Sequence, residues 1–175
     1  YSEQAKDADE IKFFLRFLQA VDLPITVSGI EKRDPPEPDI RCVHATDGAV
    51  AFELVEICDP NLAKAIAARS EAHIRTSDPS ARIISKKLRR KYTTNLPIEL
   101  LCYTNGRVIT PDNVIIPTVA PYLQSWRHVF RRAWLLAGRE HMSFGPSNLA
   151  FELTLKPDDQ PALTHSSLMD RDTQK

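Results

Sequence analysis

The segment "EPDIRCVHATDGAVAFELVEI", residues 37–57, constrains this chain more than any other. It contains two runs of strand-forming residues joined at Asp47-Gly48, a turn pair that favours a hairpin. The second run, "AVAFELVEI", is apolar on both faces except at Glu53 and Glu56. A strand of that kind belongs at the centre of a sheet covered on both sides. Glu53 is therefore an acid in a core strand. A buried carboxylate must be paired, metal-bound or protonated.

The flanking segments supply the covering layers. Residues 7–21 carry Ile11, Phe14, Leu15, Leu18 and Val21 at helical spacing. "EKRDPPEP", residues 31–38, holds three prolines and predicts an extended loop. Asp59-Pro60 reads as an N-cap followed by proline at the first helical position, opening a helix to about Ile74. A second helix is expected over 80–92 and a strand over 96–104. Loop with a short strand is expected over 107–117, then a helix over 118–132 and a strand over 133–138. "NLAFELTL" reads as an edge strand, followed by a polar tail. This order predicts an α/β sandwich with helices on both sides of a mixed sheet.

Composition adds limits. The 175 residues are 42% hydrophobic with zero formal net charge, which suits one domain and gives no sign of a basic protein as a whole. Cys42, Cys58 and Cys102 show no paired or zinc-ligand spacing and read as buried thiols of a reducing compartment. No run approaches the roughly 18 apolar residues of a membrane span, and no signal peptide is visible. A cytoplasmic location without membrane attachment is expected. The five histidines show no metal-ligand spacing, and glycine is too scarce for a phosphate-cradling loop.

Asp39 opens the first hairpin strand, and in a hairpin that position lies toward the far end of the second strand, near Glu53. Two converging carboxylates are a hard-oxygen pair suited to Mg²⁺ or Mn²⁺. Pro38-Asp39, the short hairpin and "AFELV" together resemble the core of the PD-(D/E)XK, or restriction-endonuclease-like, superfamily. The local resemblance covers residues 38–55, and a looser match in element order extends to about residue 137.

The resemblance implies a restriction-endonuclease-like three-layer sandwich over residues 1–145, with 146–175 as an edge strand and tail. It implies a metal-dependent phosphodiesterase acting on nucleic acid, DNA ahead of RNA, with Asp39 and Glu53 as catalytic metal ligands and a possible homodimer. It also implies a glutamate from the first helix in the metal shell, for which Glu10 is the candidate, although acids at a helix start also suit the macrodipole.

One departure stands out. The lysine expected two residues after Glu53 is Val55. The helix over 80–92 offers a substitute, because at about 100° per residue Lys87 falls between Ile83 and Ile84 on the apolar arc. Lys91 also falls inside that arc, Lys86 lies opposite, and Lys64 is a weaker candidate. The alternative is a nuclease fold without catalysis, serving as a nucleic-acid-binding or protein-interaction module. Residues 82–91 hold six cations and no acid, and Arg127, Arg131, Arg132 and Arg139 form a second group around Trp126 and Trp134. Either group could follow a phosphate backbone or be a solvated face balanced by acids elsewhere.

Overall fold

A computed structural model describes residues 3–141 and 145–155. Its centre is a six-stranded mixed sheet in the order β1-β2-β3-β4-β5-β6. The strands are β1 (Glu31–Lys32), β2 (Ile40–His44), β3 (Gly48–Glu56), β4 (Ile98–Tyr103), β5 (Phe130–His141) and β6 (Gly145–Leu153). β3, β4 and β5 run parallel, and the outer pairings are antiparallel. The helices are α1 (Glu3–Ala20), α2 (Pro60–Ala67), α3 (Ser80–Leu88) and α4 (Asp112–Ser125).

Strand alternation divides the core into two layers. Phe52, Leu54, Leu101, Tyr103, Trp134 and Leu136 face α1, whose Phe13, Phe14 and Phe17 are at most 2% exposed. Ala51, Leu100, Cys102, Ala133 and Leu135 face α3 and α4. β3 and β4 therefore bury both sides, as their apolar runs predict. Each fully buried aromatic on the α1 side contributes on the order of 2–3 kcal/mol by removal from water.

The buried stripe of α1 runs Glu10, Phe13, Phe14, Phe17, rotated from the stripe the sequence suggests. The helix begins at Glu3, so Glu10 lies beyond its first turn and faces inward. The macrodipole account of Glu10 therefore gives way to tertiary pairing.

Several boundaries differ from expectation. α2 stops at Ala67, where Ser70 N donates to Ala65 O and Arg69 N to Ile66 O. Arg69 takes φ 48°, so the helix closes in a left-handed cap well before Ile74. α3 stops at Leu88, where Arg90 N bonds back to Lys87 O at 3.1 Å. α4 begins at Asp112, inside the segment expected to be loop, and ends before the strand β5 starts at Phe130. Pro117 and Pro121 lie inside this helix. Both lie on the exposed side of α4, while Ile115, Val119 and Leu123 pack on the sheet at four-residue spacing. Packing of that face outweighs the lost backbone bonds.

The hairpin turn is Ala45–Asp47, with Gly48 opening β3 at φ 75°, a value glycine adopts without strain. The strand expected at the C-terminal end is β6, which lies at the sheet edge and pairs along β5. It is therefore continuous with the sheet across residue 145. The tail expected after it lies outside the described residues. Among the described residues no helix is long and apolar enough to cross a membrane. Cys42 and Cys102 are buried and Cys58 is half-buried, all as free thiols.

Candidate active site

The site is built where β2 begins and β3 approaches its end. Ile40 pairs with Phe52, so Asp39 stands opposite Glu53 one step further along the same register. Directly opposed residues of an antiparallel pair share a face. Asp39 Oδ2 accepts a hydrogen bond from Leu54 N at 2.8 Å, which pins the side chain against β3. The acids are both buried, Asp39 at 7% exposure and Glu53 at 0%.

Glu53 faces α3. Lys87 Nζ donates to Glu53 Oε1, and Arg90 Nη1 donates to the same oxygen at 3.0 Å. Lys87 thus stands beside Glu53 from α3, while position 55 on β3 is a valine. Val55 itself packs against the α3–α4 core. Burial pushes the Glu53 carboxyl up, Lys87 opposes that, and the Asp39 charge adds to it, leaving its pKa raised. Glu53 Oε2 and the Tyr92 hydroxyl are both buried and neighbour one another. Burial and then the Glu53 charge raise the Tyr92 phenol.

Glu10 enters from the α1 side. Lys32 Nζ lies 2.6 Å from Glu10 Oε2 and 3.5 Å from both Asp39 Oδ1 and Asp7 Oδ1. Its own burial lowers the Lys32 pKa, and these three acids outweigh that and raise it. Glu10 therefore meets Asp39 through an ammonium. Among the described residues no group of three or more His, Cys, Asp and Glu side chains is arranged to hold a metal.

The other lysine candidates are elsewhere. Lys91 follows the end of α3, so its place on the helical wheel lapses, and it is exposed. Lys64 and Lys86 are exposed on α2 and α3. Arg90, Lys32 and Tyr92 were not singled out from sequence. Arg90 reaches Glu53 because the chain turns at the end of α3. Lys32 reaches Glu10 and Asp39 because "EK" forms a two-residue strand against β2, inside a segment that three prolines marked as loop. A lysine beside a stretch of acids and prolines was the only available signal.

Mg²⁺ is commonly held by one or two carboxylates with water and substrate phosphate completing its shell. Glu53 Oε2 is buried beside the Tyr92 hydroxyl, and Asp39 Oδ1 is 3.5 Å from the Lys32 ammonium. Two neighbouring carboxylates fit such an ion where it replaces the Lys32 ammonium on Asp39. The sites of Glu56, held by Arg107, and of Glu99, held by Arg131 at 3.0 Å and Trp134 Nε1 at 2.8 Å, are closed ion pairs and hydrogen bonds.

No protein-family model, no curated protein and no solved structure matches this chain.

Proposed function

We propose that this chain is a Mg²⁺- or Mn²⁺-dependent phosphodiesterase of the restriction-endonuclease-like class, acting on nucleic acid, with DNA ahead of RNA. The observation that carries this reading is the Lys87–Glu53 pair beside Asp39. It assembles two acids and a lysine in space although Val55 interrupts that set along the chain.

Asp39 and Glu53 would hold the ion, which when bound supplies a water of lowered pKa and positive charge at the phosphate. The Leu54 amide fixes Asp39, so its second oxygen stays turned toward the site. Lys87 is the orienting cation: its amine can leave Glu53 Oε1 to hold the attacking water and balance charge on the phosphate. Arg90 remains on Glu53 during that movement and keeps the carboxylate in place. Lys32 neutralises Glu10 and limits repulsion on Asp39.

The test is cleavage of DNA and RNA by the full chain with and without Mg²⁺ or Mn²⁺, alongside Asp39→Asn and Lys87→Met. Metal-dependent cleavage lost in both variants is expected. No cleavage of either polymer, with no ion between the two carboxylates in a metal-soaked crystal, would sink the reading.

A second reading rests on charge balance. Lys87 and Arg90 match Glu53, and Lys32 matches Glu10, so the cluster is compensated by side chains alone. In that case the domain binds without cleaving, and Asp39→Asn preserves its binding while relieving repulsion on Glu53.

A further inference from the structure

Five of the six cations of residues 82–91 divide into two sets, and the sixth, Lys91, is exposed beyond α3. Lys87 and Arg90 turn inward to Glu53. Arg82, Lys86 and Arg89 are exposed and fall at i, i+4 and i+7, so they lie along the outward face of α3 and its C-cap. Their spacing corresponds to about 6 and 4.5 Å of rise along the helix axis. No acid occurs in α3, and among the described residues none of these three forms an ion pair. The second basic group separates differently. Arg131 is tied to Glu99 and Asp47, and Arg132 to Glu152. Arg127 remains exposed, next to Trp126, and the Arg89 guanidinium lies 4.9 Å from the Trp126 ring centroid.

We propose that the outward face of α3, carrying Arg82, Lys86 and Arg89 and continuing past Trp126 to Arg127, is the track for the phosphate backbone of the nucleic acid that reaches the Glu53 site. This rests on the nucleic-acid reading above but not on catalysis. No acid lies on α3 itself, although the Asp59 carboxylate at the start of α2 feels the Arg82 charge. A row of cations that outnumbers the acids near it attracts a polyanion, and each neutralised phosphate releases counterions. The track joins the site through a single helix, since the inward side of the same α3 presents Lys87 to Glu53. An aromatic at its far end provides a surface for an unpaired base, with the arginine already stacked on it.

The experiment measures binding of labelled single-stranded and duplex DNA oligonucleotides to the full chain in EDTA, over a range of salt. The variant Arg82→Gln/Lys86→Gln/Arg89→Gln is compared with Lys12→Gln/Lys64→Gln/Arg75→Gln, which removes the same charge from exposed positions elsewhere. The α3 variant should bind about 100-fold more weakly, with a log–log salt slope flatter by about 2–3, while the control stays close to wild type. Tighter binding of single strands than duplex, with a change in Trp126 emission that Trp126→Phe abolishes, would place the bases on that ring. Equal binding by both variants, or tighter capture of phosphatidylserine vesicles than of either oligonucleotide, overturns the proposal. Binding through α3 without metal-dependent cleavage leaves this surface standing and removes the catalytic reading. Cleavage by the α3 variant with unchanged KM does the reverse.

Discussion

Lys87 on α3 donates to Glu53 on β3 from 34 positions away in the chain, and Arg90 shares the same carboxylate oxygen. A buried acid on a core strand is thereby held by two cations, one on α3 and one just past its end. The helix end, not the strand, decides what surrounds Glu53.

If Lys87 serves the chemistry, moving the amine should be tolerated better than deleting it. Lys87→Met should lower single-turnover, Mg²⁺-dependent cleavage by about 10²–10³-fold, the usual cost of one charge-stabilising donor. Val55 shares the face of Glu53, so Lys87→Met/Val55→Lys should recover at least tenfold of that loss. A double variant as inactive as Lys87→Met, with a wild-type thermal midpoint, counts against this role for the amine.

Glu53 makes stability depend on pH in a defined direction. Its folded pKa is raised, mainly by burial, against the ordinary glutamate value near 4.5. The folded state therefore holds this proton more tightly. The associated stability is complete below the unfolded pKa and is lost as pH rises through the folded one. Glu53→Gln carries no such loss. Denaturant titrations should show the variant gaining on the wild type as pH increases above about 4.5. A constant difference between the two proteins from pH 4 to 8 would contradict the assignment.

Lys32 carries the same sign in a higher pH window. Its pKa is raised by Glu10, Asp39 and Asp7 against the lowering effect of burial, so its contribution is complete at neutral pH and lost only as pH rises through the folded lysine value. Lys32→Met leaves Glu10 and Asp39 without that cation and should destabilise by about 2–3 kcal/mol, below the cost at a fully buried pair because Lys32 is partly exposed. Added Mg²⁺ should recover part of this loss, since a divalent ion can replace the ammonium between the acids. Equal urea midpoints for variant and wild type would show that Lys32 contributes little.

The three thiols should separate by reactivity. Burial pushes Cys42 and Cys102 up to about 12, and both are at most 1% exposed, whereas Cys58 is half-buried and raised less. Iodoacetamide at mildly alkaline pH should label Cys58 first. Labelling of Cys42 and Cys102 should follow global unfolding. Mass spectrometry of partly labelled protein measures the order, and early modification of Cys102 would mean that the α3–α4 layer opens locally.

Much of the fold was readable from local pattern. The two-faced apolar run of β3 indicated a covered central strand, the Asp47-Gly48 step a hairpin, and Asp59-Pro60 the start of α2. These signals act between near neighbours in the chain. The extents of α2, α3 and α4 were not readable, because a left-handed cap at Arg69, the turn after Leu88 and the packing of Ile115, Val119 and Leu123 set them. What the sequence by itself determined is a hairpin in which Asp39 can approach Glu53 if the register allows, and the Ile40–Phe52 pairing supplies that register. What only the tertiary structure decided is which cations meet them. Lys32, Lys87 and Arg90 arrive on separate elements, and a long side chain's partner depends on where whole elements dock rather than on its place in any local repeat.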